Sequence, residues 1–408
     1  MTENIVIVGA GQSAASLVAR LRKNGYEHSI TLIGDEALLP YQRPPLSKKY
    51  LSGEMPLEKL LIKASDWYAE NNVSVITDTQ CVGIDREEKQ VSLDNGTAFP
   101  YDKLVLATGS SPITLPAAMG GGLDGVYTMR SIADADAMAD EFVAGKEVLI
   151  VGGGYIGLEA AAVAASKGLK VTLVEMADRI LGRVASAETA DWFRNLHQQH
   201  GVDVREGVAL TRLQNEGDRV KGAVLSDGSE VTADFVIVGI GIRPNTELAE
   251  SAGLAVENGI AVDAHCCTSD ADIYAAGDCA SFDYEGNRIR LESVQNASDM
   301  ADVAADNLLG VARQYKPLAR FWSDQYDAKL QIIGLCTGYD KVVTRAGKKP
   351  GSLSVWYYRG DQLIAVDAMG DPISYVMAMK ALDKGIQIPA ENIADAGFDV
   401  GQYIKSQS

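Results

Sequence analysis

The sequence is poor in the residues that build disulfide scaffolds and metal centres. Its five cysteines form no CxxC or CxxxxC pair, and its four histidines show no ligand spacing with cysteines or acids. Free thiols in a reducing compartment are the simplest interpretation of this pattern. We therefore expect a cytoplasmic protein in which side chains hold no metal ion.

Long uninterrupted apolar segments are also missing. The most apolar stretch, residues 148–165, contains four glycines and Glu159, which fits a strand, a turn and a buried helix better than a membrane span. No basic segment or cleavage site precedes the first apolar run at residues 4–8, which argues against a signal peptide. The formal net charge of −18 disfavours broad binding to nucleic acid or to an anionic membrane. Neither partner is expected.

The same supersecondary unit occurs twice in the sequence. Residues 4–35 and residues 147–175 each show an apolar run, glycines, an alanine-rich helix and a second apolar run, the pattern of a βαβ unit. Two such units, roughly 140 residues apart, predict two dinucleotide sites on one chain. A chain of 408 residues has room for two or three domains around them.

The first glycine-rich turn has the pattern expected for binding a pyrophosphate. Gly9 and Gly11 permit a tight turn and a close approach of backbone N–H groups at the N-terminus of the next helix. Ala14 replaces the third glycine, which serves close packing. Asp35 or Glu36 is placed to accept hydrogen bonds from ribose hydroxyls. Taken alone, this turn could also occur without a nucleotide.

The second turn repeats the pattern with more glycine. Gly152, Gly154 and Gly157 precede a strand that ends at Glu175. A carboxylate at that position accepts from a ribose 2′-hydroxyl and repels a 2′-phosphate. The second unit therefore predicts a site that prefers NADH to NADPH.

Two further regions of the chain have recognisable patterns. A helix beginning near Ser186 and stopped by Gly201 is expected to place Trp192, Phe193 and Leu196 on one face. The last 90 residues carry ten basic and ten acidic residues, so the net charge of −18 lies in the first 318 residues. They predict a separate α+β domain with these elements: strands at 330–335, 341–345, 353–358 and 363–366, and a helix at 373–384.

These patterns resemble the FAD-dependent pyridine-nucleotide reductases with two dinucleotide-binding domains, and within them the NADH:ferredoxin reductases. The similarity covers essentially the whole chain and is carried by residues 9–14, 42–48, 106–109, 152–159, 239–244, 274–278, 291–294 and 321–326. It implies an α/β fold with two Rossmann-like domains, as in glutathione reductase, and a C-terminal α+β domain. The expected boundaries are 1–112 and 238–318 for the FAD domain, 113–237 for the NADH domain and 319–408 for the last domain.

The resemblance also implies which residues bind the two cofactors, FAD and NADH. The FAD residues are Gly9, Gly11, Ser13, Ala14, Asp35, Arg43, Lys48, Cys81, Ala107, Thr108, Gly109, Arg130, Gly277, Asp278, Val294 and Trp322. The NADH residues are Gly152, Gly154, Tyr155, Ile156, Gly157, Glu159, Glu175, Gly239 and Gly241.

Three of these residues are expected to act in catalysis: Lys48, Glu159 and Trp322. Glu159 lies in an otherwise apolar helix, where an unpaired carboxylate is costly, so its position asks for a cationic partner. The resemblance supplies Lys48 as that partner near flavin N5, and places Trp322 beside the flavin. By residue type alone, Lys48 is a solvated loop lysine, Trp322 a core residue and Asp278 a helix cap. The resemblance instead has Asp278 bind the FAD ribityl chain, with a helix behind it.

Missing cysteines decide the subclass. Disulfide reductases of this fold carry a cysteine pair in the first helix or the nicotinamide domain, and NADH oxidases and peroxidases carry one near the position of Gln42. The helix at residues 13–23 has no cysteine, and Gln42 has none beside it. Electrons are therefore expected to leave the flavin directly and singly for a [2Fe–2S] ferredoxin. That ferredoxin would supply a haem monooxygenase or a ring-hydroxylating dioxygenase.

Three other functions fit most of these motifs. A rubredoxin reductase and a monodehydroascorbate reductase are the closest rivals. A binding flavoprotein similar to apoptosis-inducing factor is the rival of another class, and the net charge of −18 opposes it. The chain is expected to be a monomer or a weak homodimer.

The docking surface for an acidic ferredoxin should be locally basic. Arg313, Lys316 and Arg320 lie in a stretch without acids, residues 307–323, that runs into Trp322. This stretch is the expected docking face. A second acid-free stretch, residues 341–360, contains five basic residues, for which solvated loop charges are the favoured interpretation.

Overall fold

The structure, a computed structural model, describes residues 4–407. Contacts divide the chain into two compact units that each combine separate segments. The first unit holds the chain up to Gln42, Pro56–Ser111 and Ile242–Pro317. The second unit holds Arg43–Met55, Pro112–Gly241 and the chain from Leu318.

Within residues 4–407 there are ten α-helices and twenty-six strands, with three short 3₁₀ helices at Pro44–Ser47, Leu57–Lys59 and Ala117–Met119. The helices are α1 Gln12–Lys23, α2 Ser65–Glu70, α3 Ile132–Ala139, α4 Tyr155–Ser166, α5 Ala187–Gln199, α6 Glu247–Ser251, α7 Val294–Leu308, α8 Pro372–Asp383, α9 Ala390–Ala394 and α10 Val400–Ser406. The strands of the first half are β1 Asn4–Val8, β2 Ser29–Ile33, β3 Val73–Ile76, β4 Cys81–Asp85, β5 Gln90–Leu93, β6 Ala98–Pro100, β7 Lys103–Leu106, β8 Ser110–Pro112, β9 Val126–Tyr127, β10 Glu147–Val151, β11 Lys170–Glu175, β12 Asp203–Glu206 and β13 Leu210–Glu216. The remaining strands are β14 Arg219–Leu225, β15 Glu230–Thr232, β16 Phe235–Val238, β17 Ile242–Pro244, β18 Ile260–Ala261, β19 Ile273–Ala275, β20 Ala280–Tyr284, β21 Asn287–Ile289, β22 Arg320–Gln325, β23 Ala328–Gly334, β24 Lys341–Ala346, β25 Leu353–Arg359 and β26 Gln362–Met369.

A parallel sheet of five strands forms the centre of the first unit, in the order β19-β7-β1-β2-β3. Its strands are apolar throughout because helices cover both faces of such a sheet. Ile5, Val6 and Ile7 of β1 are fully buried. The helices α1 and α7 of this unit are joined by an ion pair between Arg20 and Asp306, at 2.8 Å. The smaller sheets β4-β5-β6 and β18-β20-β21 also belong to this unit.

The second unit contains a parallel sheet of the same size, in the order β12-β11-β10-β16-β9. β10, α4 and β11 reproduce the βαβ unit predicted for residues 147–175, as β1, α1 and β2 do for residues 4–35. The antiparallel sheet β13-β14-β15 lies in the same unit, with Leu213 and Ala223 in a common apolar core.

The C-terminal residues form an antiparallel sheet in the order β22-β23-β26-β25-β24. The sequence predicted four of these strands, β23 to β26, but not β22. Trp356 and Tyr358 of β25 are fully buried in a core shared with α8, α9 and α10. The sequence predicted α8 within one residue at each end but indicated neither α9 nor α10.

The buried face of α5 differs from the predicted one. Phe193 is fully buried as expected, but Trp192 and Leu196 are only half-buried. His197, one turn after Phe193, is fully buried in their place. The reason is a polar contact: strand β22 presents Gln325 to the His197 ring, so this face of the helix is not purely apolar.

No helix among residues 4–407 is both long and apolar enough to cross a membrane. The chain passes from one unit to the other at residues 42–43, 55–56, 111–112, 241–242 and 317–318. The domain boundaries expected from the sequence stay a prediction.

Candidate functional site

The two glycine turns have the same construction. Gly9 has a φ of +104°, and a Cβ there would lie 2.2 Å from the carbonyl oxygen of Ala107. Gly152 has a φ of +108°, and its Cβ would lie 2.3 Å from the carbonyl oxygen of Gly239. Each turn therefore requires glycine twice over, for its backbone conformation and for its contact with a neighbouring strand end. Ala107 and Gly239 thus shape the turns from the adjacent strands.

The helix that follows each turn has open space in front of its N-terminus. α1 starts after Gly11 and α4 after Gly154, and neither helix has a side-chain cap. A Cβ on Gly11 or on Gly154 would meet no atom within 4 Å. Helix N-terminal N–H groups facing open space, at the positive end of the helix dipole, form a binding site for a phosphate. Both turns therefore fit the pyrophosphate of a dinucleotide.

Ser13 and Gly277 are in contact within the first unit. A Cβ on Gly277 would lie 2.6 Å from Ser13 Oγ, so glycine is needed for this approach. The Ser13 hydroxyl donates to the carbonyl oxygen of Ala297 at 2.8 Å, which ties α1 to α7. Val294, another predicted FAD residue, is the first residue of α7, and Ser293 caps that helix by accepting from the N–H of Asn296 at 3.1 Å.

Asp278 follows Gly277 at the end of β19 and accepts a hydrogen bond from the Ser110 hydroxyl at 2.9 Å. Cys279 and then strand β20 follow it in the chain, so Asp278 caps no helix. The helix-cap interpretation was therefore wrong, whereas the helix expected behind Asp278 stays a prediction. The carboxylate is half-buried, and its attachment to Ser110 fixes one oxygen.

Thr108 and Asn245 hold the chain where β7 ends. Thr108 Oγ1 donates to the carbonyl oxygen of Asn245 at 2.7 Å, and Asn245 Nδ2 donates to the carbonyl oxygen of Thr108 at 2.8 Å. The N–H of Asn245 also donates to the carbonyl oxygen of Gly109 at 3.0 Å. Asn245 was not predicted from the sequence, yet it fixes two predicted FAD residues.

The remaining predicted FAD residues of the first unit differ in exposure. Asp35 is exposed directly after β2, where a ribose acceptor is expected. Its neighbour Glu36 accepts from the Tyr41 hydroxyl and is half-buried. Cys81 starts β4, and burial raises the pKa of its thiol. A neutral thiol contributes packing rather than thiolate chemistry at this position.

In the second unit, Arg43 precedes the 3₁₀ helix Pro44–Ser47 and donates from Nη1 to the carbonyl oxygen of Arg130 at 2.9 Å. The contact brings two predicted FAD residues together. It also orients a planar guanidinium, whose other N–H groups are suited to a phosphate.

Glu175 occupies the end of β11 beside the second turn. Its Oε2 accepts from the N–H of Gly153 at 2.7 Å, and its Oε1 accepts from the N–H of Ala177 at 2.8 Å. The carboxylate therefore braces the turn, a role that the sequence did not indicate. Each oxygen retains further acceptor capacity for a ribose hydroxyl.

Tyr155 is the first residue of α4 and packs on Phe321 of β22, with ring centroids 4.5 Å apart. Its hydroxyl is buried without a hydrogen-bond partner among residues 4–407. Burial, followed by the charge of Asp367, raises the pKa of Tyr155 well above its ordinary value. The neighbouring Ile156 is 43% exposed at the start of the same helix.

Lys48 and Glu159 form the predicted ion pair, with Nζ 3.0 Å from Oε1. The Ser47 hydroxyl donates to Oε2 at 2.7 Å and the Ser323 hydroxyl to Oε1 at 2.7 Å. Burial raises the pKa of Glu159, and Lys48 and the two serines oppose that rise. Three donors around one buried carboxylate make an ionised pair in a site that excludes most water.

The surroundings of Trp322 are set by β22, where it is half-buried and pairs with Gln331 of β23. Neighbouring strand positions point to opposite faces, so Ser323 turns toward Glu159. Ser47 and Ser323 were missed by the sequence interpretation because isolated serines carry no spacing signal.

The basic stretch expected to dock a ferredoxin is less free than its sequence suggests. Arg313 is 43% exposed and pairs with the buried Asp306 at 2.8 Å, and Asp306 also binds Arg20. Lys316 is exposed, whereas Arg320 is half-buried in β22. In the second stretch, Arg345 donates to four backbone carbonyls between residues 393 and 398, so it is structural and not a solvated loop charge.

The fold and the two turns together define a protein that binds two dinucleotides, with a buried ion pair on the helix of the second turn. Comparison with known families identifies the family to which this protein belongs. Residues 3–301 match the pyridine nucleotide-disulphide oxidoreductase family and residues 320–404 match the reductase C-terminal family. The chain belongs to the pyridine nucleotide-disulphide oxidoreductase family.

Its relatives include several electron-transfer reductases. Putidaredoxin reductase of Pseudomonas putida is 37% identical over 408 residues, which cover 98% of this chain and 97% of that protein. A ferredoxin–NAD(P)⁺ reductase of a Sphingomonas species is 41% identical over 404 residues, covering 98% and 96%. A rubredoxin–NAD⁺ reductase of Pseudomonas putida is 38% identical over 370 residues, covering 90% and 96%.

A solved structure shows the same architecture. The putidaredoxin reductase of a covalent putidaredoxin reductase–putidaredoxin complex superimposes with a TM-score of 0.95 at 37% identity, covering 99% of this chain and 98% of that one. These matches confirm the predicted family, the α/β fold with a C-terminal domain, and the enzyme class, an oxidoreductase that uses FAD and a nicotinamide nucleotide. They also confirm the ferredoxin-reductase function predicted from the sequence.

Proposed function

We propose that this chain oxidises NADH, holds the electron pair on a bound FAD and reduces a [2Fe–2S] ferredoxin in two single-electron steps. The observation that carries the proposal is the buried Lys48–Glu159 pair on the helix of the second glycine turn. FAD, when bound, supplies the conversion of a hydride pair into single electrons. The ferredoxin would in turn feed an oxygenase, because one relative, 37% identical, is the ferredoxin–NAD⁺ reductase component of the anthranilate 1,2-dioxygenase system of Burkholderia cepacia.

The residues of the chain then have separate roles. The turn at Gly9 and Gly11 binds the FAD pyrophosphate, and Asp35 accepts from its ribose. The turn at Gly152 and Gly154 binds NADH in the same way. We retain the other predicted cofactor residues as part of this proposal, because the turns, Arg43 and Asp278 have the donors and acceptors that the two ligands need.

Lys48 is the catalytic cation of the proposal. Its side chain is 15% exposed and its ammonium group is held by Glu159, so it presents a fixed positive charge in a mostly dry site. Such a charge stabilises negative charge that develops on a reacting cofactor and costs no reorganisation during the reaction. Glu159 orients Lys48, and Trp322 is proposed to cover the cofactor on the C-terminal side.

Two observations support a ferredoxin as the electron acceptor: the relatives of the chain and the state of its cysteine thiols. The cysteines of residues 4–407 are all free and lie singly along the chain, except the neighbours Cys266 and Cys267. Cys266 is fully buried, and burial raises the pKa values of both thiols, so neither is suited to attack as a thiolate. Electrons therefore leave without a disulfide step. A cytoplasmic location and a monomeric or weakly dimeric state remain part of the proposal.

A coupled assay tests the function. Purified protein with its FAD is mixed with NADH, and oxidation of NADH is followed with and without an added [2Fe–2S] ferredoxin. We expect ferredoxin to raise the rate of NADH oxidation and to be reduced in a ratio of two per NADH. A preparation that binds no FAD, or whose NADH oxidation ignores the ferredoxin, would overturn the proposal.

A further inference from the structure

A buried chain of hydrogen bonds leads from Glu159 to the hydroxyl of Tyr326. Ser323 Oγ lies 2.7 Å from Glu159 Oε1, and Gln325 Nε2 lies 3.1 Å from Ser323 Oγ. His197 Nε2 lies 2.8 Å from Gln325 Oε1. Tyr326 OH lies 3.1 Å from His197 Nδ1. Four contacts thus connect α4, β22, α5 and the turn after β22 within the second unit.

The middle of this chain is dry. Ser323, Gln325 and His197 are each fully buried. Buried polar groups are stable only when their donors and acceptors are matched, so three such groups in a row must share one consistent arrangement of protons. Which group donates each hydrogen bond can be deduced from the two ends of the chain, Glu159 and Tyr326.

The direction of donation is fixed by the number of hydrogens on each group. An ionised Glu159 carboxylate can only accept hydrogen bonds, so the Ser323 hydroxyl donates its single hydrogen to it. The Ser323 oxygen must then accept a hydrogen bond from the Gln325 amide. The Gln325 carbonyl then accepts from His197 Nε2–H. Burial lowers the pKa of His197 to about 4, so the ring is neutral and its Nδ1 accepts from the Tyr326 hydroxyl. All four donors therefore point toward Glu159.

Tyr326 sits in an unusual backbone conformation for a large side chain. It follows Gln325 in the two-residue turn before Ala328 and has a φ of +55°. A left-handed conformation favours glycine or asparagine, and a tyrosine there costs roughly 1 kcal/mol. Its ring stacks on His200, with centroids 3.7 Å apart and planes 13° apart. The side chain is thus held in place at the outer end of the chain.

We propose that Gln325, His197 and Tyr326 are positioning residues that act through Ser323 to hold the Glu159 carboxylate ionised and aimed at Lys48. Aligned hydrogen-bond donors polarise one another. The Ser323 hydroxyl, which donates to Glu159, therefore forms a stronger hydrogen bond than an isolated serine hydroxyl would. The proposal rests on the proposed function only in assigning the Lys48–Glu159 pair to the flavin reaction.

The chain is not a route for protons. Gln325 stands in its middle, and an amide passes a proton only through its unstable imidic acid form. Among residues 4–407, the charged and titratable groups with contacts to Glu159 or its partners include Lys48 from the 43–55 segment, Asp324 of β22 at 3.9 Å from Lys48, His197 and His200 of α5, and Tyr326. Among them only Lys48 contacts the carboxylate directly.

The pH dependence of stability tests the proposal without relying on turnover. Because the pKa of Glu159 is raised in the folded protein, stability falls as pH rises from the ordinary glutamate range to the folded pKa. A broken chain raises that pKa further and extends the loss to higher pH. We expect Gln325→Leu in the holoprotein to lower the melting temperature more at pH 8 than at about pH 5, close to the ordinary glutamate range.

The same substitution in a Glu159→Gln background separates positioning from packing. There the pH-dependent part of the loss should vanish, because no carboxylate is left to ionise. The proposal would be overturned if Gln325→Leu lowered the melting temperature equally at both pH values and equally in the wild-type and Glu159→Gln backgrounds. That result would show that the Gln325 side chain only fills space. Neither outcome depends on the identity of the electron acceptor.

Tyr326→Phe provides a second variant that keeps the stacked ring and removes one oxygen atom. Its matched control is Tyr403→Phe, whose hydroxyl donates to a backbone carbonyl of the same C-terminal domain at 3.2 Å. In single-turnover reduction by NADH, we expect the acidic limb of the pH profile to move upward by roughly one pH unit in Gln325→Leu. Tyr326→Phe should give a smaller move in the same direction, and Tyr403→Phe none. Unmoved profiles in both Gln325→Leu and Tyr326→Phe would contradict the proposal.

Discussion

Lys48 Nζ lies 3.0 Å from Oε1 of Glu159, and the two side chains are only 15% and 5% exposed. Burying two opposite charges costs desolvation that their attraction must offset. Ser47 and Ser323 add a donor to each carboxylate oxygen, which makes the ionised state tolerable. Removal of either charge therefore affects the electrostatics of the site more than its shape.

Lys48→Met should slow the reduction of bound flavin by NADH while FAD remains bound. The substitution keeps much of the side-chain volume but removes the fixed charge, and a loss of roughly tenfold or more is expected. Stopped-flow absorbance of the flavin under anaerobic conditions measures the rate. Lys49→Met, at an exposed neighbouring position, is the control and should react as the wild type does. A wild-type rate in Lys48→Met would reassign Lys48 to an ordinary loop position.

Glu175 should decide between NADH and NADPH. Its carboxylate accepts from Gly153 and Ala177 and repels a 2′-phosphate, so the wild type should favour NADH by more than about tenfold in kcat/KM. Glu175→Arg should narrow that ratio, and Glu188→Arg on the exposed side of α5 should not. If Glu175→Arg lowered kcat/KM for both nucleotides in equal proportion, the residue would only brace the turn.

Asp367 should make stability depend on pH in the mildly acidic range. The side chain is 1% exposed, and burial raises its pKa to about 6 although Tyr357 and Thr189 donate to it. Because the folded pKa is the higher one, stability is full below about pH 4 and is lost as pH rises to about 6. The loss is about 3 kcal/mol on the 1.36 kcal/mol scale per pKa unit.

Asp367→Asn removes that titration. Relative to the wild type, its stability should rise between pH 4 and pH 7, as followed by thermal or denaturant unfolding. Asp361→Asn, at an exposed position in the same hairpin, should show no such trend. A constant difference between Asp367→Asn and the wild type across this range would mean that Asp367 does not titrate there.

The ion pair of Arg313 with Asp306 changes the substitutions that best test the ferredoxin docking surface. Arg313→Glu would place an acid beside the buried Asp306 and weaken the α1–α7 contact, so Arg313→Gln combined with Lys316→Glu is the better test. We expect the pair to weaken ferredoxin reduction most at low ionic strength, since salt screens exposed charges. Flavin reduction and ferricyanide reduction should be nearly unchanged. Lys348→Glu, in the second basic stretch, is the control, and a normal ferredoxin rate in the double variant would exclude this surface.

Features that depend on a local pattern were accessible from the sequence. The two βαβ units, four of the five strands of the C-terminal sheet and the pairing of Glu159 with a cation all follow from hydrophobic periodicity, glycine spacing and the cost of a buried charge. Lys48 as the partner came from family resemblance, because no spacing links residue 48 to residue 159.

Features that depend on tertiary contacts were not accessible. The burial of His197 and its contact with Gln325 join two segments 128 residues apart, and each residue is unremarkable in its own segment. Asp278 followed a glycine in a way that suggested a helix cap, yet the strand β20 comes next. Arg313 and Arg345 were taken for surface charges because their partners, Asp306 and the carbonyls near residue 395, are not marked by any motif.

The most direct test of the central claim is the reoxidation of the NADH-reduced flavin by different acceptors in a stopped-flow instrument. Equal concentrations of a [2Fe–2S] ferredoxin, a rubredoxin and monodehydroascorbate are mixed with the reduced protein, and the return of flavin absorbance is recorded. We expect the ferredoxin to reoxidise the flavin fastest, at a rate that falls as ionic strength rises. Faster reoxidation by rubredoxin or by monodehydroascorbate would contradict it.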